Sequence, residues 1–359
     1  MKVAILTDTH CGVRKSSQRF IDYQNRFYSE IFFPYLKKHR IKNIWHGGDF
    51  FDDRVNVNYK ALYSNRKTFL EPLVENKIHM TIINGNHDLH FKNSSKISSL
   101  KELLGYFTEN VSIIMEPIDI QIGKHTFGFL PWINDENYEQ SLEFIQKKSN
   151  ADILLGHLEL GGFEMYKGVQ SYGGMSSELF KRFPLVLSGH YHTTSQRNNI
   201  RYLGSSFEFT WADENDPKFF HILDTNTLKI EAIRNPLQIY KKVRYNKNSV
   251  IPKNKDEFKD KFVRIIVEEK SSQYELDKYI DFVEASEPYD LTIIDSVSYG
   301  EFTSNDSLKI DQEDIKDIAT DARNFIGKYI DGLETSLEKD ILKRHMESII
   351  SEAEMLELS

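Results

Sequence analysis

The sequence predicts an α/β protein in which two β-sheets pack face to face, with helices on the outside. Two observations favour this fold class. The first 84 residues alternate apolar strand patterns with amphipathic helix patterns, and this order predicts parallel strand pairing. Many further strand patterns then follow up to position 234, more than one layered sheet needs. We therefore expect a two-sheet sandwich flanked by helices.

The first sheet is predicted from alternating strands and helices. A strand over 2–7 is followed by a helix over 17–39, whose apolar residues recur at steps of three and four. The second strand ends at Asp49, a second helix covers 58–76, and a third strand covers 78–84. This order of strands and helices implies a layered α/β body.

The later strands are shorter and follow a serine-rich loop over 93–99. A third helix is predicted over 137–149. The strands are predicted over 111–115, 118–122, 125–130, 152–156, 184–188, 200–203, 218–223 and 227–234.

The composition changes at residue 235, so we divide the chain there. We expect the main domain over 1–235, a small α+β cap over 236–301, a polar linker over 302–311 and C-terminal helices over 312–359. The cap contains a predicted strand over 262–268, a helix over 272–285 and a strand over 290–297, and the C-terminal hairpin pairs helices over 312–330 and 334–357. The apolar stripe of the last helix has two interpretations, packing on its own domain or docking on a partner.

Composition excludes several classes of protein. The chain has 359 residues, of which 40% are hydrophobic, enough for a substantial core. No apolar run approaches the ~20 residues that a membrane span needs, and the N-terminus has no signal-peptide pattern. The single cysteine, Cys11, excludes an internal disulfide framework and a cysteine-rich zinc site. We therefore expect a cytoplasmic protein with no membrane contact, whose metal ligands would be nitrogen and oxygen atoms.

The net charge argues against a generally basic nucleic-acid binder. The formal charge is −8, of which residues 307–359 carry −6. The rest of the chain is therefore close to neutral, and acidity alone does not exclude a polyanionic substrate.

Five apolar runs each end next to a glycine and to a polar residue whose side chain can bind a metal ion or a proton. These side chains are Asp8, His10, Asp49, Asn86, His157, His190 and His192. In open α/β sheets, ligands bind beyond the carboxyl ends of the strands, so these residues are expected to converge. Seven ligands are too many for one ion but suit two ions that share a bridging carboxylate. Asp49 is the candidate bridge because its strand is central in the inferred sheet, and the mixed nitrogen and oxygen set favours manganese, iron or zinc over a magnesium-only site.

Such a site predicts phosphoryl chemistry. Two ions roughly 3.5 to 4 Å apart can activate water as a nucleophile and bind the oxygens of a phosphoryl group. His87 is placed to stabilise charge on the phosphorus or to protonate the leaving oxygen, with Asp88 orienting its ring. Each residue alone would be interpreted as a turn former or a helix cap. Trp132 and Trp211 are interpreted as packing residues.

The strand-end motifs resemble the calcineurin-like metallophosphoesterases. The five motifs are Asp8-Thr9-His10-Cys11-Gly12, Gly48-Asp49, Gly85-Asn86-His87-Asp88, Gly156-His157 and Gly189-His190-Tyr191-His192. Further stretches narrow the resemblance to the SbcD-type nuclease subunits of double-strand-break repair, especially those of T-even-like phages. They are 47–52, 130–132 and 201–217. The similarity covers about residues 1–235; beyond that it rests on the order of elements.

The resemblance implies a ligand set for each ion. One ion would be held by Asp8, His10, Asp49 and His192, and the other by Asp49, Asn86, His157 and His190. It also implies that His87 acts on the scissile phosphate. The activity would depend on manganese, with magnesium, iron and zinc as alternatives.

The resemblance also implies partners. The C-terminal helices would dock on the coiled coil of an SbcC-type ABC ATPase, and two copies would dimerise through helices such as 17–39 or 58–76. The location would be the host cytoplasm if a phage encodes the chain. Candidate DNA-contacting residues are Arg54, Lys60, Lys92, Lys241, Lys242 and Arg244; a solvated surface is the alternative interpretation for each.

We therefore predict a metal-dependent DNA nuclease subunit that uses a two-metal-activated water. The resemblance implies that it is a double-strand exonuclease and single-strand endonuclease. Two alternatives remain. One is an enzyme of the same fold that hydrolyses small phosphodiesters or phosphoproteins, and the other is a scaffold whose metal site only stabilises the fold.

Overall fold

The computed structural model describes residues 1–107, 109–166, 169–171, 173–269 and 272–295, together with 339, 341–343 and 346. The strands in these residues are β1 Lys2–Leu6, β2 Asn43–His46, β3 His79–Ile83, β4 Leu89–Phe91, β5 Ser94–Ser98, β6 Val111–Ile114, β7 Ile118–Ile122, β8 His125–Leu130, β9 Ile153–His157, β10 Glu164–Tyr166, β11 Val169–Gln170, β12 Leu185–Gly189, β13 Ser195–Arg197, β14 Ile200–Tyr202, β15 Phe219–Asp224, β16 Ile230–Arg234, β17 Tyr240–Tyr245, β18 Phe262–Val267 and β19 Asp290–Asp295.

Helices separate the strands, and all but the short Val13–Ser16 and Ser99–Leu104 lie where the sequence predicts them. The first runs over 18–39 as Gln18–Arg26, a π-helical segment Phe27–Phe32, and Phe33–His39; the second runs over 59–75 as Tyr59–Asn65, the π-helical Arg66–Leu70, and Glu71–Glu75. The others are the short Val13–Ser16, Ser99–Leu104, Tyr138–Glu143 with the π-helical Phe144–Lys148, and Gln273–Glu284. Short 3₁₀ helices cover Gly105–Phe107, Ser177–Phe180, Trp211–Asp213 and Lys255–Glu257.

Two six-stranded sheets form the main domain, as predicted. The first has the order β16-β15-β1-β2-β3-β6 and the second β13-β14-β12-β9-β8-β7. Strands β1, β2, β3 and β6 pair in parallel, whereas β15 and β16 extend the sheet in antiparallel orientation. The carboxyl ends of β1, β2 and β3 therefore lie at one edge, and β2 is central in its sheet.

The core between the sheets explains why the strands are apolar on both faces. Val3 and Ile5 of β1 pack with Phe127 and Leu155 of the second sheet. The intervening residues of β1 point the other way and join the cluster under helices 18–39 and 59–75. Because side chains alternate along a strand, this arrangement gives the continuous apolar run of a doubly covered sheet.

The cap is a parallel three-stranded sheet, β17-β18-β19, covered on one face by helix Gln273–Glu284. On its other face Phe262 stacks on Phe20 of the first helix, with ring centroids 5.8 Å apart. Strand β17 was not predicted, because its sequence lies in a lysine-rich segment. The linker over 302–311, the helix over 312–330, most of the helix over 334–357 and the end of the strand predicted over 290–297 lie outside the described residues. In the part of the chain that is described, no helix is long and apolar enough to cross a membrane.

A buried glutamate joins the main domain to the cap and gives a prediction for pH-dependent stability. The Glu208 carboxylate accepts the N–H groups of Ile239 and Tyr240, at 2.8 and 3.0 Å. Burial raises its pKa from 4.5 to about 7, although these N–H donors oppose the shift. Between these values the folded chain binds a proton that the unfolded chain releases, so this group makes the fold less stable as the pH rises.

We expect Glu208→Gln to be more stable than the wild type at pH 8, by up to roughly 3 kcal/mol. At pH 4 the two chains should be nearly equal, because the glutamate is then protonated and the amide oxygen still accepts both bonds. Urea denaturation at both pH values checks this, with exposed Glu139→Gln as the control. A difference between variant and wild type that does not change with pH would contradict the assignment.

Candidate metal centre

Strands from both sheets deliver the predicted ligands to one place. Strands β1, β2 and β3 come from the first sheet, and β9 and β12, which pair in parallel, come from the second. Among the described residues, three sets have ligand atoms that all lie within 4.8 Å of one another: Asp8, His10 and His192; Asp49, His157 and His190; and His10, Asp49 and His87. The site therefore lies where the carboxyl ends of strands from both sheets meet.

The first cluster is formed by Asp8, His10 and His192. The Nε2 atoms of the two imidazoles lie 3.1 Å apart, and His192 Nε2 is 4.0 Å from Asp8 Oδ1. His10 Nε2 is also 3.7 Å from Asp49 Oδ2. These separations between ligand atoms suit the coordination of one ion.

The second cluster contains Asn86, His157 and His190. The Asn86 Oδ1 atom lies 3.1 Å from His157 Nε2 and 2.9 Å from His190 Nδ1. The Asp49 Oδ2 atom is 3.3 Å from His157 Nε2, so the same oxygen borders both clusters. This is the position expected of a bridging carboxylate.

The hydrogen bonds of His157 fit a metal ligand. Its Nδ1 donates to the Gly47 carbonyl over 2.7 Å, which leaves the Nε2 lone pair directed at the cluster. A backbone carbonyl that fixes the tautomer of an imidazole in this way is typical of metal-binding histidines. The donor set of nitrogen and oxygen atoms therefore fits divalent ions.

The loops that carry the ligands are strained. Four of the proposed ligands have a positive φ, namely Asp8, His10, Asp49 and His190. Such a conformation costs of order 1–3 kcal/mol per residue and persists only where the surrounding contacts impose it. Gly48 has φ +94°, and a side chain there would lie 2.6 Å from His157 Nδ1. The glycines of the motifs thus permit the close approach of the loops.

Burial and charge together set the pKa values in the cluster. Burial raises the pKa of the Asp8 carboxyl to about 6. Burial also opposes ionisation of Asp49, but His157 and His87 outweigh it and hold the pKa of Asp49 well below its usual range. For His157, burial lowers the pKa but Asp49 outweighs it, and the pKa is about 9. Protons and cations therefore compete for the same nitrogen atoms.

The structure corrects the role predicted for Asp88. Its buried carboxylate accepts the backbone N–H groups of Gly85, Phe50 and Phe51 at 2.9, 3.0 and 3.1 Å. Asp88 therefore holds two loops together and does not orient the His87 ring. The ring is held instead by the Asp52 carbonyl, which accepts from His87 Nδ1. Burial lowers the pKa of His87.

Asp52 is a site residue that the sequence reasoning missed. Its carbonyl holds His87, and its carboxylate Oδ1 lies 3.2 Å from His10 Nδ1, on the side of the ring opposite the cluster. Its place in the motif over 47–52, three residues after Asp49, was the available signal. One residue thus contacts both a proposed ligand and the proposed catalytic histidine.

We expect Asp52→Ala to weaken metal binding and hydrolysis by roughly 10- to 100-fold, because the loss of a carboxylate behind a ligating imidazole has effects of this size. Titration with Mn²⁺ and DNA cleavage rates check this. Asp53→Ala is the matched control, since this neighbouring carboxylate is exposed and accepts the N–H groups of Val55 and Asn56. Equal activity of the two variants would contradict the role of Asp52.

The candidate DNA-contacting residues do not form one cluster. Arg54 is half-buried and near enough to Asp49 for that charge to affect its pKa, which burial lowers. Lys60 and Lys92 are exposed. In the cap, Lys241 pairs with Glu257 at 2.8 Å, Arg244 pairs with Glu268 at 2.6 Å, and Lys242 Nζ donates to the Trp211 carbonyl at 3.0 Å.

Trp132 lies beside the second ligand cluster. Its ring centroid is 5.2 Å from that of His190 and 5.9 Å from that of His157. It is a packing residue, as predicted, but it packs on the proposed ligands, which the sequence did not indicate.

A two-sheet α/β sandwich with histidine and carboxylate clusters at its strand ends defines a metallophosphoesterase. Sequence comparison agrees, since the family described as calcineurin-like phosphoesterase matches residues 1–194. The chain belongs to this family.

Three relatives are similar over much of the chain. Exonuclease subunit 1 of Enterobacteria phage T4 is 34% identical over 75% of this chain and 77% of its own length. An SbcCD nuclease subunit of Staphylococcus epidermidis is 24% identical over 62% of this chain and 66% of its own length. The SbcCD nuclease subunit of the same name from Staphylococcus saprophyticus is 23% identical over 64% of this chain and 67% of its own length.

Proposed function

We propose that the chain is the metal-dependent nuclease subunit of an SbcC–SbcD-like complex that cleaves DNA, acting in the cytoplasm. The observation that carries the proposal is the position of Asp49, whose Oδ2 borders both ligand clusters. The names of the relatives, an exonuclease subunit and two nuclease subunits, support DNA as the substrate.

The residues have separate roles in this proposal. One ion would be held by Asp8, His10, Asp49 and His192, and the other by Asp49, Asn86, His157 and His190. The ions, with manganese favoured, would supply an activated water and neutralise phosphate charge. His87, held by the Asp52 carbonyl, presents its other ring nitrogen to the scissile phosphate, where it stabilises charge or donates a proton to the leaving oxygen.

We assign the region over 236–301 as the cap that holds DNA. Residues alternate along β17, so Lys242 and Arg244 lie on one face and Lys241 lies on the other. Lys242 pairs in register with Arg264, whose guanidinium lies 4.1 Å from the centre of the Trp211 ring. The face that carries Lys242 and Arg244 is the better candidate for phosphate contact. An exposed ion pair such as Arg244 with Glu268 can exchange its carboxylate for a phosphate at little cost.

Two protein partners complete the proposal. The ATPase would dock on the C-terminal helices over 312–359, beyond the linker over 302–311. A second copy would dock on the groove between helices 59–75 and 99–104, which exposes Tyr59, Tyr63 and Tyr106 at 87%, 57% and 91%. An exposed aromatic patch of this kind is typical of a protein interface.

We expect Tyr63→Asp to shift the chain from dimer to monomer in sedimentation velocity. A charged group in the middle of an apolar interface loses its hydration on association without gaining a partner. Tyr274→Asp, on the exposed face of the cap helix at 65% exposure, is the control and should remain dimeric. A Tyr63→Asp chain that sediments as the wild type would place the dimer contact elsewhere.

One assay tests the function. The purified chain is incubated with Mn²⁺ or Mg²⁺ and three substrates, namely end-labelled duplex DNA, circular single-stranded DNA and a chromogenic phosphodiester, with and without the ATPase. We expect manganese-dependent cleavage of both DNAs. Hydrolysis of the small ester alone would identify a small-substrate phosphodiesterase, and metal binding without hydrolysis of any substrate would identify a scaffold.

A further inference from the structure

A lysine is completely buried beside the first ligand cluster. The side chain of Lys218 is 2% exposed, and its Nζ atom donates to three oxygens. These are the His192 carbonyl at 3.0 Å, Asp213 Oδ1 at 2.6 Å and Asp216 Oδ2 at 2.9 Å. An ammonium group has three N–H bonds, so every donor is used.

Each of the two aspartates also accepts a hydrogen bond from a residue that adjoins His192. Asp216 also accepts the hydroxyl of Thr193, the next residue in the chain, at 3.2 Å. Asp213 accepts the backbone N–H of Phe209 at 2.9 Å. The Phe209 ring packs edge-on against the rings of both His10 and His192, with centroids 5.3 Å away in each case.

The stability of the fold does not explain a buried ion cluster of this kind. Transfer of an ammonium and two carboxylates out of water costs about as much as their attraction returns, and apolar residues of similar volume often serve as well. Burial lowers the pKa of Lys218, but the two aspartates outweigh it, so the lysine stays charged. What the cluster supplies is a fixed position for the backbone carbonyl of a ligand.

We propose that Lys218 is a positioning residue for His192, and through it for the ion held by Asp8, His10 and His192. This inference rests on the proposed function, because it assumes two metal ions. The inference predicts different effects on the two ions, since His157, a ligand of the second ion, is held by a different contact. His157 Nδ1 donates to the Gly47 carbonyl over 2.7 Å, and neither Lys218 nor its two aspartates takes part in this bond.

The test is a titration of the metal-free full chain with Mn²⁺, followed by electron paramagnetic resonance, which requires no catalysis. We expect two ions per wild-type chain. In Lys218→Met, one ion should bind roughly 10- to 100-fold more weakly while the other is unchanged, the size of effect seen when the support of a ligand is removed. Lys261→Met is the matched control, because this half-buried lysine also donates to a backbone carbonyl, that of Glu257, but in the cap.

Asp216→Asn provides a second variant should Lys218→Met fail to fold, because it removes one charge and leaves the pair of Lys218 with Asp213. We expect a smaller loss at the same ion. Two unchanged ions in the folded variants, or equal weakening of both, would overturn the inference alone. A wild-type chain that binds fewer than two ions would overturn the proposed function together with it.

Discussion

Replacement of Asp49 by alanine is expected to remove both metal ions and to abolish phosphodiester hydrolysis. The carboxylate is 2% exposed, and its Oδ2 atom lies 3.7 Å from His10 Nε2 and 3.3 Å from His157 Nε2. Its loss removes the charge that both clusters share, including the carboxylate oxygen that lies 3.3 Å from His157 Nε2. Metal content by elemental analysis and cleavage of end-labelled duplex DNA measure the two effects.

Asp119→Ala is the control for this variant. The Asp119 carboxylate accepts the Ser149 hydroxyl at 2.7 Å and the Asn150 N–H at 2.8 Å, away from the proposed site. Its removal should reduce stability without changing metal content. An Asp49→Ala chain that retains one ion at wild-type affinity would show that the carboxylate belongs to one cluster only.

The second large effect is expected at His87. His87→Ala should lower the rate of hydrolysis by roughly 10²- to 10⁴-fold, the contribution of a positioned acid or base, while both ions remain bound. The ring is not in either proposed ligand set, and its Nδ1 is occupied by the Asp52 carbonyl. Single-turnover cleavage at saturating Mn²⁺, together with metal content, separates a loss of catalysis from a loss of metal.

His90→Ala is the matched control, since this half-buried histidine lies three residues away and packs on Phe91. It should cleave DNA at the wild-type rate. The distances among His10, Asp49 and His87 also permit a third ligand group. Loss of an ion from His87→Ala would therefore reassign this histidine as a ligand.

The position of the centre was predictable because strand ends are informative. A buried parallel strand has a continuous apolar sequence, and the first polar residue after it must lie at the carboxyl edge of its sheet. This reasoning brought Asp8, Asp49 and Asn86 together from one sheet. It also reached His157 and His190, whose strands belong to the second sheet. The sequence did not show that two sheets share the site.

The error at Asp88 has a geometric cause. Adjacent residues in a tight turn point in different directions, so Asp88 lies beneath the loop, where three N–H groups needed an acceptor. The carbonyl that holds His87 comes from Asp52, which is distant in sequence. A contact of this kind depends on how two loops meet, which no local pattern encodes.

Short and polar strands were also missed. The hairpin of β4 and β5 directly follows Asp88, and β17 carries the cationic residues of the cap. Neither has the apolar run that identifies a buried strand. Strand β16 begins at Ile230 rather than 227, because Leu228 has a φ of 57° in the preceding turn.

The most direct test of the central claim is anomalous X-ray diffraction from crystals of this chain grown with Mn²⁺. We predict two manganese peaks, one among Asp8, His10 and His192 and the other among Asn86, His157 and His190, with the Asp49 carboxylate between them. A single peak, or peaks that Asp49 does not contact, would contradict the shared-carboxylate centre.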